Sequence, residues 1–151
     1  MMYEKRGDIF QVESGIIMHG CNCYGVMGAG VAKLVKEKYP TAYDDYVDVC
    51  EDIHVRHPKE LLGLVHMQYV RSPTLHIANC FTQIAPGAHA EIAAIRSCLQ
   101  EVLAFAEESN LNVHSVQIGC GIGGLSWSEV SKVYREECAL FPTVNMVVWS
   151  L

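Results

Sequence analysis

Short apolar runs that break at glycine alternate along this chain with longer stretches in which apolar residues recur every three or four positions. Gly15-Ile16-Ile17-Met18-His19 is a continuous apolar run bounded by turn chemistry, the pattern of a strand buried on both faces. Over residues 29–39, Val31, Ala32, Leu34, Val35 and Tyr39 recur at helical spacing beside Lys33, Lys36, Glu37 and Lys38, and Pro40 is expected to end that helix. A second helix is predicted to follow, with Tyr43, Tyr46, Val47 and Cys50 on one face. Residues 61–70 and 74–81 read as two strands joined by the turn Arg71-Ser72-Pro73, and Pro86-Gly87 makes the next break. Between residues 90 and 108, Ile92, Ile95, Leu99, Val102 and Ala106 carry the strongest helical signal in the chain. Residues 113–118 predict another strand. Ser126-Trp127-Ser128-Glu129 has capping-box spacing for a helix running to about residue 140, Pro142 closes it, and residues 144–149 form a β-rich final run. Strand and helix alternate, which predicts an α/β fold with a mixed sheet between helices.

Two of the strand-to-helix transitions carry unusual glycine density. The first is His19-Gly20-Cys21-Asn22-Cys23-Tyr24-Gly25-Val26-Met27-Gly28-Ala29-Gly30-Val31, and the second is Ile118-Gly119-Cys120-Gly121-Ile122-Gly123-Gly124-Leu125. Glycine permits positive φ and close approach of backbone to a ligand, and the helix start that follows offers unpaired N–H groups to an anion. Two such turns suit a pyrophosphate. Neither is a Walker loop, because Gly-x-x-x-x-Gly-Lys-Ser/Thr is absent, and Gly25-x-x-Gly28-x-Gly30 lacks the dinucleotide-fold order. In α/β sheets the ligand lies beyond the carboxyl ends of the strands, where both turns would sit.

Composition narrows the ligand. The 151 residues fit a single domain spanning 1–151, with half the positions hydrophobic and 19% charged. A formal charge of −6, with Asp44, Asp45, Asp48, Glu51 and Asp52 close together, opposes nucleic-acid binding, and only 11 basic residues are available to hold phosphate. Backbone N–H groups and a small ligand are therefore expected. No apolar run approaches the length of a membrane span, and seven scattered cysteines argue against a disulfide framework, so a cytoplasmic monomer without membrane contact is the expectation. Cys21-x-Cys23 lacks the spacing of a zinc or dithiol motif, and no metal or cofactor is called for. Cys120, between two glycines near a helix start, is a position where a thiol pKa can be lowered.

The early Arg6-Gly7-Asp8-Ile9, the run from His19 through Ala32, the second glycine turn and the terminal Val147-Val148-Trp149-Ser150-Leu151 together resemble a macrodomain, the ADP-ribose-binding module, over essentially the whole chain. Within that superfamily the chain looks most like the yeast-type ADP-ribose 1″-phosphate phosphatases, with which it shares His-x-Cys-Asn-Cys-x-Gly and the stretch Lys38-Tyr39-Pro40-Thr41-Ala42 followed by Asp45-Tyr46-Val47. The resemblance implies a three-layer α/β/α fold with a central mixed, mostly parallel sheet. It implies that Asp8 accepts from the adenine amino group, that Ile9 lines that pocket and that Trp149 lies against the adenine face. Asn22 would bind the distal ribose, Gly28, Ala29, Gly30 and Val31 would face its phosphate side, and Gly119, Cys120, Gly121, Ile122, Gly123, Gly124 and Leu125 would wrap the diphosphate.

The implied activity is hydrolysis of ADP-ribose 1″-phosphate to ADP-ribose and phosphate, which needs a positioned phosphoryl group, charge neutralisation and a water with a proton acceptor. His19 is the first candidate for the acid/base role beside Asn22, although a histidine ending an apolar strand equally serves as a hydrogen-bonded core residue. His89, with Glu91 close by, is the second; both residues also suit a helix start. Two other functions stay open: a non-catalytic ADP-ribose reader, and a glycohydrolase removing ADP-ribose from protein or nucleic acid. The macrodomains that do the latter through a lysine and an aspartate carry the aspartate in Gly-Cys-Gly-Leu-Asp-Arg-Leu, where this chain has Gly123, and residues 77–83 contain no lysine.

Overall fold

The computed structural model describes residues 1–71 and 74–151, so the expected turn at Ser72-Pro73 lies outside the described residues. Among the described residues six strands, β1 (Met2–Arg6), β2 (Gly15–Asn22), β3 (Val65–Arg71), β4 (Leu75–Gln83), β5 (Val113–Val116) and β6 (Met146–Ser150), form one sheet in the order β1-β6-β5-β2-β4-β3. All neighbours pair in parallel except β3, which runs antiparallel to β4. The α-helices that cover it are α1 (Gly30–Lys38), α2 (Pro40–Cys50), α3 (Ile92–Ser109) and α4 (Trp127–Ala139). The fold is the three-layer α/β arrangement that the alternation predicts.

Alternation along the two central strands divides the core. Ile16, Met18, Ala78 and Cys80 pack with Ile95, Leu99, Val102 and Val130 of α3 and α4. Ile17 and Ile77 face the other way, toward Val35 and Ala42 of α1 and α2, while Cys21 and Phe81 on that same face meet Tyr46. Both faces of β2 and β4 are buried, which is why they read as unbroken apolar runs. Ser126 Oγ accepts from the Glu129 N–H at 3.2 Å, the cap that its spacing predicts.

Several boundaries differ from expectation. Pro40 does not merely close α1: it occupies the first turn of α2, where its missing N–H costs nothing. The strand expected from residue 61 begins at Val65, because Pro58–Leu61 is a 3₁₀ turn and Gly63, at φ +87°, redirects the chain. The β1 edge strand, Met2–Arg6, is exposed at four of its five positions and has no periodicity to announce it. No helix among the described residues is long and apolar enough to cross a membrane, and all seven cysteines are free thiols.

Candidate functional site

The parallel strands β1, β6, β5, β2 and β4 end on one edge of the sheet, and a cavity of about 360 Å³ opens there. One wall is the first glycine turn, with Gly28, Ala29, Gly30 and Val31; the other is the second, with Gly119, Gly121, Ile122 and Gly123. Gly20, Cys21 and Asn22 from β2 and Thr82 and Gln83 from β4 line it as well, with Pro86 and Gly87 beyond. The two turns approach each other closely, since a Cβ on Gly30 would stand 3.5 Å from Ile122 Cδ1.

Asn22 organises the first turn. Its Oδ1 accepts from the Tyr24 N–H at 2.9 Å and from Tyr46 Oη at 3.0 Å, while Nδ2 donates to the Val26 carbonyl at 2.7 Å. Tyr46 Oη also lies 2.7 Å from the Asn22 carbonyl oxygen, and burial pushes this phenol well up, so it stays a donor. Gln83 does the equivalent work after β4, donating from Nε2 to the carbonyls of Ala85 at 2.8 Å and Gly87 at 2.9 Å.

The second turn is held by its own backbone, with the Leu125 N–H donating to the Gly119 carbonyl at 2.8 Å and the Ala90 N–H to the Gly123 carbonyl at 3.2 Å. A Cβ at Gly123 would meet Ala90 Cβ, Gly119 Cα and the Gly119 oxygen, each at 2.8 Å, so this position excludes any side chain. Gly121, by contrast, has nothing within 4 Å of where a Cβ would stand.

A second cavity, about 490 Å³, lies beside Asp8 and is lined also by Phe10, Leu34, Glu37, Lys38 and Leu151. Gly30 and Val31 of the first cavity and Leu34 and Lys38 of the second follow one another at helical spacing along α1. Asp8 Oδ1 accepts from the Phe10 N–H at 2.9 Å, capping a 3₁₀ turn, and Lys38 Nζ donates to the Phe10 carbonyl at 2.7 Å.

The structure gathers Asn22, Gly28, Ala29, Gly30, Val31, Gly119, Gly121, Ile122 and Gly123 around one cavity and Asp8 at another. Other candidates stand elsewhere. His19 is fully enclosed on the α1/α2 side of β2, with Nε2 2.6 Å from Asn79 Oδ1, and it reaches neither cavity. Burial lowers its pKa to about 4 against the raising effect of that hydrogen bond, so it is a neutral core group. His89 is exposed and does not line the cavity, and Glu91 precedes α3 without a side-chain cap.

Ile9 and Trp149 are packed in the core, 5% and 6% exposed, rather than open to a ligand, and Trp149 Nε1 donates to His114 Nδ1 at 3.0 Å. Cys120, Gly124 and Leu125 support the second turn from outside the cavity. The Cys120 thiol is pushed up to about 11 by burial, and then by Glu129, not lowered. Cys21 does line the cavity, but burial raises its thiol well above the ordinary range, which removes it as a nucleophile. Thr82, Gln83 and Gln117 are unmarked in the sequence, since no motif flags an isolated polar residue at a strand end.

Among the described residues no cluster of histidine, cysteine and carboxylate side chains has the geometry to hold a metal ion.

Comparison with known proteins gives the fold a family. The Macro domain model matches residues 18–134. The ADP-ribose 1″-phosphate phosphatase of Saccharomyces cerevisiae is 29% identical over 162 residues, covering 87% of this chain and 89% of that protein. The DNA ADP-ribosyl glycohydrolase of Mycobacterium tuberculosis is 29% identical over 146 residues, covering 95% of this chain, which spans 40% of that protein's length. Among solved structures, the macrodomain of Mycobacterium tuberculosis DarG superposes with a TM-score of 0.85 at 25% identity, covering 100% of this chain and 98% of the other.

Proposed function

This chain belongs to the macrodomain family, and on that premise we propose that it binds ADP-ribose and hydrolyses ADP-ribose 1″-phosphate to ADP-ribose and phosphate. The observation that carries the binding reading is the cavity between the two glycine turns, whose polar groups are backbone, amide and hydroxyl groups and which is continued along α1 to the cavity beside Asp8. Strand order supports one direction for the ligand. Asp8 follows β1 at one edge, the second glycine turn follows β5, the first follows β2, and Thr82 and Gln83 close β4. Adenine at Asp8 therefore puts the diphosphate between the turns and the distal ribose with its phosphate over the ends of β2 and β4.

The phosphatase step draws its support from likeness to the yeast phosphatase along most of both chains. The glycohydrolase reading is weaker in its lysine-aspartate form, because the aspartate's place is Gly123, where no Cβ fits. One observation favours a reader instead: apart from the neutral Cys21 thiol, no ionisable side chain lines the cavity between the glycine turns among the described residues. Turnover here rests on positioning and on dipoles rather than on a protein base.

The test is phosphate release from ADP-ribose 1″-phosphate by the purified protein, run beside calorimetric titration with ADP-ribose. Release with ADP-ribose binding is the expected result. Binding without release would identify a reader, and loss of both would overturn the ADP-ribose reading.

A further inference from the structure

Building on the phosphatase reading, we infer that Gln83 is a catalytic residue whose Oε1 orients the attacking water, with the Thr82 hydroxyl beside it on the transferred phosphoryl group. The orientation of the Gln83 amide is fixed by its surroundings. Its two near neighbours, at 2.8 and 2.9 Å, are both carbonyl oxygens, of Ala85 and Gly87, so the nitrogen end must face them. Oε1 is left without a partner among the described residues, on a side chain that lines the cavity. Thr82 is 1% exposed, lines the same cavity, and its hydroxyl likewise has no partner among the described residues. The Thr82 oxygen is not sealed off, so its opening is to the cavity, where a ligand oxygen can meet it.

The backbone explains how two consecutive residues reach one cavity. Cys21 pairs with Phe81, and the next β2 residue, Asn22, pairs with Gln83, so Thr82 is one extra residue in β4. Such a bulge re-aims side chains that a regular strand would send to opposite faces. It also sets Gln83 opposite Asn22 at the end of the groove away from Asp8.

The chemistry balances without a protein base. The water oxygen bonds to phosphorus and the bond from phosphorus to the ribose 1″ oxygen breaks. One water proton passes by way of a phosphoryl oxygen to that leaving oxygen, giving a hydroxyl and hydrogen phosphate. Gln83 Oε1 accepts a hydrogen bond from the water's remaining hydrogen and stays unprotonated throughout, while Thr82 donates to a phosphoryl oxygen.

Gln83→Lys separates this role from the support of the 85–87 turn, because an ammonium group supplies donors for both carbonyls but has no acceptor. With wild-type protein releasing phosphate from ADP-ribose 1″-phosphate, the variant is expected to lose at least about tenfold in kcat while its calorimetric affinity for ADP-ribose stays within about twofold. A smaller loss, or one matched by lost affinity, would overturn the assignment while leaving the phosphatase reading intact. Wild-type protein that binds ADP-ribose without releasing phosphate would overturn both together. Should the lysine variant not fold, Gln83→Met is judged by the same thresholds. Thr82→Val is expected to share the loss in kcat, and full activity in it would remove Thr82 from the assignment.

Discussion

His19 Nε2 and Asn79 Oδ1 lie 2.6 Å apart across a register pair of β2 and β4, on a face closed to solvent. Asn79 Nδ2 donates to the Ala42 carbonyl at 3.1 Å and stands 3.1 Å from His66 Nδ1, so Oδ1 must be the end that meets His19, which donates from Nε2 as a neutral ring. Folding lowers the His19 pKa from 6.5 to about 4, chiefly by burial. The unfolded chain therefore binds more protons between those values, and the contribution of His19 is complete above pH 6.5 and lost as pH falls toward 4. His66, His76 and His114 are also lowered by burial and act with the same sign. The thermal midpoint should fall between about pH 7.5 and about pH 4.5, and His19→Gln, which can still donate to Asn79, should flatten that fall. A slope unchanged in the variant would count against this account.

Tyr46 is the support on which the first glycine turn rests. Its hydroxyl reaches both the carbonyl oxygen and Oδ1 of Asn22, and Asn22 in turn holds Tyr24 and Val26. Tyr46→Phe removes the donor with little change in shape, leaving the enclosed Asn22 carbonyl unpaired at a cost of about 1–3 kcal/mol in stability. ADP-ribose affinity should weaken as the turn loosens, measurable by calorimetry against a denaturation curve for the same variant. Affinity equal to wild type would show that Asn22 holds the turn without the phenol.

The glycine turns are legible in the sequence because their chemistry is local: a strand must stop, a backbone must come close and a helix must begin within a few residues. The third dimension at strand ends is what the pattern does not carry. His19 ends an apolar run beside the glycine turn, yet period-two alternation sends it to the face of Ile17 and Cys21, beneath α1 and α2. Trp149 sits in a terminal strand, and the side chain is absorbed by Gly7, Lys5 and His114, with Lys5 Nζ 4.8 Å from the ring centroid. Thr82 and Gln83 reach the cavity only because of a bulge, a register relation between distant segments that carries no sequence signature.

Gly121 and Gly123 sit two residues apart in the second turn and should respond oppositely to a methyl group. At Gly123 the added Cβ would stand 2.8 Å from two backbone atoms of Gly119, so an alanine side chain there would force the turn apart. Gly123→Ala is expected to lower the thermal midpoint by several degrees, consistent with about 1–3 kcal/mol of overpacking, and to abolish detectable ADP-ribose binding. Gly121→Ala meets open space and should melt as wild type. Gly123→Asp, which places a carboxylate where lysine-aspartate glycohydrolases have theirs, should be as damaging as Gly123→Ala and gain no glycohydrolase activity. Equal melting of Gly121→Ala and Gly123→Ala would refute the packing argument.

Asp8 caps a turn, and the proposed function gives it a second, separable role. Its Oδ1 caps the 3₁₀ turn at the Phe10 N–H, and its exposed carboxylate borders the cavity assigned to adenine. Asp8→Asn keeps a carbonyl oxygen for the cap but halves the acceptor capacity and removes the charge offered to an adenine amino group. The variant should melt close to wild type while binding ADP-ribose more weakly. The sharper readout is discrimination between ADP-ribose and its inosine counterpart, which presents an oxygen where adenine has the amino group. Wild-type protein should prefer the adenine form by about tenfold, since a carboxylate facing a carbonyl is left without its hydrogen bond. Asp8→Asn can turn its amide donor toward the inosine oxygen, so that preference should shrink or reverse. An undiminished preference in the variant would place adenine recognition elsewhere than at Asp8.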